Sequence, residues 1–222
     1  MMFHPGMLHA RDLQFSYPSG GFRLRVPELS VAEGETVALS GPSGTGKTTL
    51  LKLLAGILPI QNGTLTLQSQ EMTQAAPSNR RALRRQQMGL VFQDFALLDY
   101  LSVRDNVLLP LRLAGELKPA HEERAKELVE QLDLKRHWQH LAGELSQGER
   151  QRVAVARALV HEPKLVLADE PTSALDPKRG SVVMDLLIHH VREKQAALIM
   201  VSHDAGLMSS LDRTVSVEAW TS

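Results

Sequence analysis

Gly41-Pro42-Ser43-Gly44-Thr45-Gly46-Lys47-Thr48 combines what triphosphate chemistry needs: a loop rich in accessible amides and one cation at its end. The run fits G-x-x-x-x-G-K-[ST] in full. Glycines let the backbone wrap closely around phosphate oxygens and adopt positive φ. Successive N–H groups and the start of a following helix form a positive cradle. In this reading, residues Gly41, Pro42, Ser43, Gly44, Thr45 and Gly46 surround the phosphates of ATP. Lys47 reaches the β- and γ-phosphates, the Thr48 hydroxyl ligates Mg²⁺, and Thr49 steadies the α-phosphate. A Gly-rich turn without a ligand would explain the glycines alone. The strand before the run and the helix after it favour the phosphate.

Two further clusters carry chemistry. Asp169-Glu170 follow the apolar run Leu165-Val166-Leu167-Ala168. Adjacent carboxylates at a buried strand end are costly unless compensated. A metal would compensate them, with Asp169 holding Mg²⁺ through its water shell. Glu170 would then accept a proton from, or polarise, an attacking water. A strand leaving the core through a polar turn at Pro171 explains the same residues without a ligand. Leu145-Ser146-Gln147-Gly148-Glu149 contains the S-x-x-E pattern of a helix capping box. A cap alone accounts for Ser146 and Glu149. The alternative is that Ser146 and the Gly148 amide, at a helix N-terminus, bind a second phosphate.

These residues need elements to place them. Thr36–Ser40 reads as a strand that feeds the glycine loop, and Lys47–Ala55 as a helix stopped by Gly56 and Pro59. Thr64–Leu67, Met88–Phe92, Leu165–Ala168 and Ala197–Val201 read as further strands. Ala125, Leu128, Val129 and Leu132 fall at i, i+3, i+4 and i+7, an amphipathic helix with Pro119 near its first turn. Arg150–Val160 and the stripe Met184, Leu187, Ile188 and Val191 read as two more helices. Between Asp94 and Arg150 helices and loops dominate. Strands alternating with helices predict an α/β fold with a mostly parallel sheet and an inserted helical segment. Ligands in such sheets sit beyond the carboxyl ends of the strands. Gly41, Gln93, Asp169-Glu170 and His203 all follow such ends.

The 222 residues are enough for one large domain, and 43% apolar with 23% charged residues is ordinary for a globular protein. Lys plus Arg and Asp plus Glu stand at 25 each, which argues against a broad nucleic-acid-binding surface. With no cysteine, thiolate metal sites, disulfides and thiol nucleophiles are excluded. Met1–Met7 lack the charge and apolar run of a secretory leader. No apolar run approaches the roughly 20 residues needed to span a bilayer, so membrane association is expected only through a partner. Arg80, Arg81, Arg84 and Arg85 are expected on a solvated helix face. His189-His190 are expected at the surface, and Trp138 as a packing residue.

Taken in order, six short motifs resemble the nucleotide-binding subunit of an ATP-binding-cassette transporter over nearly the whole chain. They are Gly41–Thr48, Gln93, Leu145–Glu149, Asp169-Glu170, Ser173-Ala174-Leu175-Asp176 and His203. The resemblance implies a P-loop NTPase core (about 1–93 and 151–222) with an N-terminal antiparallel β subdomain. It also implies a helical subdomain at about 94–150, within a single ATPase domain over 1–222. Phe15-Ser16-Tyr17 matches the position of the aromatic that stacks on adenine, which would be Tyr17. By resemblance, Gln93 senses Mg²⁺ and the γ-phosphate, His203 contacts the γ-phosphate and helps organise the water, and Asp176 acts across a dimer interface. The implied assembly is a head-to-tail homodimer with two ATP molecules between the copies. Each phosphate loop then faces Ser146 and Gly148 of the other copy. One departure is Gln147, where the family usually has a small glycine.

Gln93-Asp94-Phe95-Ala96-Leu97-Leu98 and Asn106-Val107-Leu108-Leu109-Pro110-Leu111 are similar to the lipoprotein-release and macrolide-export branch. That implies an integral membrane permease-type partner and a peripheral place on the cytoplasmic face of the inner membrane. An importer ATPase is an alternative. A soluble cassette acting on nucleic acid is a weaker one, because the chain lacks cysteines, long heptads and a second cassette. No regulatory domain is expected after Glu218.

Overall fold

The computed structural model describes residues 6–18 and 20–221; most of Met1–Met7, the stretch without the features of a secretory leader, lies outside them. Strands β1 (Leu8–Ser16) and β2 (Arg23–Val31) form an antiparallel hairpin, registered from Leu8 opposite Val31 to Ser16 opposite Arg23. Leu24 and Val26, then Leu29 and Val31, of β2 turn inward between exposed neighbours, the alternation of a half-buried sheet shifted by one residue at Pro27-Glu28. After β3 (Thr36–Ser40) and α1 (Lys47–Leu54) come β4 (Asn62–Leu67) and β5 (Gln70–Glu71). They complete an antiparallel sheet in the order β2-β1-β4-β5. The strand expected at Thr64–Leu67 begins two residues earlier, at Asn62, and lies in this antiparallel sheet rather than in the parallel one.

The chain continues through α2 (Pro77–Gln87), β6 (Met88–Val91), α3 (Val103–Ala114), α4 (Pro119–Gln131) and α5 (Gln147–Leu159). It ends with β7 (Leu165–Asp169), α6 (Pro177–Lys194), β8 (Ala197–Val201), α7 (Ala205–Ser209) and β9 (Arg213–Ser216). The second sheet runs β6-β7-β8-β3-β9, parallel at each pairing. The fold is mixed α/β, as the strand and helix alternation predicts.

Both faces of the parallel sheet are covered, so β7 and β8 are buried at every residue. Alternate residues serve opposite cores. Leu165, Leu167, Ile199 and Val201 pack with α1 and the antiparallel sheet. Val166, Ala168, Leu198 and Met200 pack with the helices that follow β6. Trp138 packs against that second cluster.

Two surface expectations are corrected. His190 is only 1% exposed, and its Nε2 meets the Pro163 carbonyl at 2.9 Å. It continues the buried face of Val183 and Leu187. The arginine cluster is not wholly solvated: Arg84 is partly buried and donates to the Ala55 and Gly56 carbonyls, both at 3.3 Å, closing the end of α1.

Asp212 fastens the entrance of β3. Its Oδ2 accepts from the Thr36 amide at 2.8 Å and the Thr36 hydroxyl at 2.7 Å, and its Oδ1 accepts from Arg192 at 2.7 Å. Burial acts to raise the Asp212 carboxyl, but the hydrogen bonds from Arg192 and Thr36 outweigh it and hold it low. Replacing Asp212 by Asn is expected to cost about 1 kcal/mol, because the buried Thr36 donors keep an acceptor but lose its charge, and solvent screens the part-exposed carboxylate. A folded-state pKa held low contributes stability that is complete above the unfolded value, about 3.9. That contribution is lost as pH falls through the lower folded value. Urea titrations should therefore show the gap between wild type and Asp212→Asn at neutral pH and its closure in strong acid.

Candidate active site

The glycine loop leaves the carboxyl end of β3 and enters α1. Gly41, Gly44 and Gly46 have φ of 148°, 84° and 78°, and Gly46 is the residue capping α1. A Cβ at Gly46 would stand 2.4 Å from Cζ of Phe22, so neither the conformation nor the space admits a side chain. The Thr45 hydroxyl braces the loop on the Pro42 carbonyl at 2.8 Å. Lys47, nearly buried, donates from Nζ to the carbonyls of Gly41 at 2.7 Å and Pro42 at 2.9 Å. The ammonium thus lies folded along the loop whose amides and helix start form the anion cradle.

Thr48 bridges this loop to the acidic strand end. Its hydroxyl donates to Oδ2 of Asp169 at 2.6 Å, and Asp169 is 4% exposed at the end of β7. Gln93, just beyond β6, lines the same cleft. A hydroxyl, a carboxylate and an amide oxygen are hard donors, which suit Mg²⁺ better than a soft metal. The donor set therefore fits the ion the sequence motifs imply.

Glu170 occupies a strained position at φ 52°, unusual for a residue with a side chain. Its amide donates to the Val201 carbonyl of β8 at 3.0 Å. Its Oε1 is buried without a hydrogen-bond partner, and His203 Nε2 approaches it only to 3.5 Å. Burial pushes the Glu170 carboxyl up; His203 and Lys47 oppose this and the neighbouring Asp169 adds to it. A buried acceptor with a spare lone pair beside an imidazole can take a proton from a water placed between it and the phosphate loop.

At the other end of the cleft stands an aromatic wall. Phe15 and Tyr17 meet edge to face at 4.8 Å, and Tyr17 lies 5.8 Å from Phe22. Tyr17 is half exposed, and its hydroxyl shares a 3.1 Å hydrogen bond with Thr49. The cleft measures ≈ 750 Å³ and is lined by Tyr17, Ser43, Gly44, Gly46, Lys47, Thr48 and Thr49, with Gln93, Asp169, Glu170 and His203 across from them. That is a volume suited to a nucleotide-sized ligand. Phe22, Ser173 and Val201 also line it. Phe22 escapes a motif search because its signal is only the Gly20-Gly21 pair before β2.

Ser146, Gly148 and Asp176 do not line this cleft. Ser146 caps α5 in a full capping box: its hydroxyl meets the Glu149 carboxylate at 2.7 Å, and its amide donates to the same carboxylate at 3.0 Å. His137 Nε2 lies 3.0 Å from the other oxygen of Glu149. Burial acts to raise Glu149, but the Ser146 hydrogen bonds and the charges of His137 and Arg152 lower it overall. Asp176 caps α6 and pairs with Arg179 at 2.7 Å. Ser146 is nonetheless exposed, so this helix start can meet a phosphate brought from outside the chain.

Residues 24–173 match the protein family described as ABC transporter. The lipoprotein-releasing system ATP-binding protein LolD of Legionella pneumophila (strain Paris) is 41% identical over 212 residues, 94% of this chain and 93% of the relative. LolD of Xanthomonas axonopodis pv. citri (strain 306) is 39% identical, across 95% of this chain and 88% of the relative. The uncharacterized ABC transporter ATP-binding protein YvcR of Bacillus subtilis (strain 168) is 42% identical, across 86% of this chain and 74% of the relative. Among solved structures, the fold is similar to a dimeric, post-hydrolysis state of the ATP-binding cassette MJ0796 bound to ADP and Pi. The TM-score is 0.88 at 31% identity, over 96% of this chain and 94% of that one.

Proposed function

Because the chain belongs to the ABC transporter family, we propose that it is the ATP-hydrolysing subunit of a membrane complex of the lipoprotein-release kind. The observation that carries this is the convergence of Lys47, Thr48, Gln93, Asp169, Glu170 and His203 on one cleft. ATP is the substrate. Tyr17 stacks on adenine, Thr49 steadies the α-phosphate, and the amides from Gly41 to Gly46 wrap the β-phosphate. Lys47 swings from its loop carbonyls to the β- and γ-oxygens. Thr48, Gln93 and Asp169 would hold Mg²⁺, which when bound would supply positive charge to offset that of the phosphates. Glu170 takes the proton of the attacking water, and His203 orients that water against the γ-phosphate.

The remaining predicted residues act on another copy's nucleotide. In a head-to-tail homodimer, Ser146 and the Gly148 amide complete the partner copy's site, and Asp176 lies at the interface. The dimeric MJ0796 cassette and the separation of Ser146 from this chain's own cleft support that arrangement. We read the chain as one ATPase domain with a helical subdomain at about 94–150. No helix among the described residues is long and apolar enough to cross a membrane. We place the chain on the cytoplasmic face of the inner membrane, held there by a permease-type subunit and with no nucleic-acid partner, a reading that its likeness to the LolD ATP-binding proteins supports.

Two measurements test this reading. Phosphate release from ATP should vanish when EDTA removes Mg²⁺ and return when the ion is restored. A tagged chain should recover an integral membrane subunit from detergent-solubilised membranes. Hydrolysis indifferent to EDTA, or recovery of nucleic acid in place of a membrane subunit, would overturn it.

A further inference from the structure

Gln151 lies one turn inside α5 and is 1% exposed. Both ends of its amide are used. Nε2 donates to the Glu170 carbonyl at 2.6 Å, and Oε1 accepts from the Ala174 amide at 2.8 Å. These two backbone groups flank Pro171-Thr172-Ser173, the turn through which the chain leaves β7. Only one orientation of the amide satisfies both, because a carbonyl lies on one side and an N–H on the other.

We propose that Gln151 is a positioning residue that locks the start of α5 to the turn carrying Glu170, so that the Ser146 face and the same copy's general base move as one body. The proposal rests on the dimeric ATPase reading above. Three observations bear it. Glu170 sits at φ 52°, a conformation that persists only when its surroundings hold it. Its amide is pinned to Val201 of β8, and its carbonyl accepts from the Ser173 amide at 3.2 Å and hydroxyl at 3.1 Å within its own turn and, more closely, from Gln151 at 2.6 Å, so α5 supplies the shortest restraint on that carbonyl and the one that comes from outside the turn. Gly148 abuts the far side of the same turn: a Cβ there would stand 3.0 Å from the Ala174 carbonyl and 3.2 Å from Leu175. The first turn of α5 and residues 170–175 are thus packed without room to slide.

The helix does the same to a second loop. Arg157 donates to the carbonyls of Phe95 at 2.6 Å and Ala96 at 2.5 Å, just after Gln93. Those two residues also have positive φ, 61° and 48°. In the dimer, Ser146 reports the partner copy's nucleotide while Glu170 acts on its own. Gln151 joins these two roles within one chain, so closure over one ATP sets the base for the other.

The test compares Gln151→Met, which fills the same space without donor or acceptor, with Gln151→Glu, which keeps an acceptor for Ala174 but loses the donor to Glu170. Both are expected to lower kcat on the order of tenfold to a hundredfold, the usual effect of a displaced catalytic group. KM and the affinity of the isolated chain for a fluorescent ATP analogue should stay within about twofold. The Hill coefficient for ATP should fall towards one, and Mg-ATP dimers of the variants carrying Glu170→Gln should persist on sizing. An unchanged kcat, or nucleotide affinity falling in step with kcat, would overturn the proposal and leave Gln151 as a packing residue. The parent chain is sized in parallel. If Glu170→Gln alone forms no dimer with Mg-ATP, the dimer reading fails, and the split between kcat and KM still judges Gln151.

Discussion

Glu170→Gln is expected to cut ATP hydrolysis on the order of a hundredfold to ten-thousandfold, the usual contribution of a positioned general base. The substitution preserves shape in a site where shape matters: the side chain is largely buried and its Oε1 has no hydrogen-bond partner. What it removes is the basic carboxylate proposed to receive the proton of water. It also removes a negative charge next to Asp169 and across from the phosphate loop. Nucleotide affinity should therefore hold or rise as the rate collapses. In the proposed dimer hydrolysis is the step that would let the two copies separate, so the variant should accumulate as a dimer when Mg-ATP is added. Phosphate release and size-exclusion chromatography, with and without Mg-ATP, measure both effects. Hydrolysis within about twofold of the parent chain would remove Glu170 from the base role.

What the sequence discloses and what it hides divide along a physical line. Gly41–Thr48 is legible because its chemistry is local: one strand, one loop and one helix start supply the whole cradle. Asp169-Glu170 is legible because two carboxylates after four apolar residues demand compensation. The capping box at Ser146 is legible as a helix start, and the structure begins α5 at the next residue. Phe22 is hidden because it reaches Gly46 only through the β1–β2 hairpin, a contact between positions distant in sequence. Strand β9 is hidden because Arg213–Ser216 is short and polar and becomes a strand only by pairing with β3. Gln151 is hidden for a related reason. Its neighbours suggest a polar helix face, and only the return of the chain at Glu170 and Ala174 buries it.

The burial of His190 has a signal in the sequence. The histidine lies seven residues after Val183 and three after Leu187, on the stripe those residues define. Arg84 illustrates the opposite case. Nothing in a run of four arginines tells that one of them closes the carbonyl end of α1. The fold class thus follows from periodicity, whereas the side chains that fix loops to helices follow from tertiary closure alone.

Lys47→Ala is expected to act one step earlier than Glu170→Gln. The ammonium lies on the Gly41 and Pro42 carbonyls, within the loop proposed to receive the β- and γ-phosphates. Its loss leaves two carbonyl oxygens facing an anion with no cation between them. A charged hydrogen-bond donor contributes about 1.5–3 kcal/mol, so ATP affinity should fall about tenfold to more than a hundredfold. Lys47→Arg is not expected to rescue it, because a planar fork does not replace a compact point charge inside a closed loop. Fluorescent-nucleotide titration checks the affinity, and sizing checks the dimer. Both variants are expected to suppress hydrolysis strongly, but they separate on the second readout. Glu170→Gln should collect as an ATP-bound dimer, and Lys47→Ala should stay monomeric at ATP concentrations that saturate the parent. In the double variant the Lys47 phenotype should prevail, since a base cannot matter before the phosphates are held. If the double variant instead formed the ATP-induced dimer, Lys47 would be dispensable for closure, and the loop amides alone would be the nucleotide's anchor.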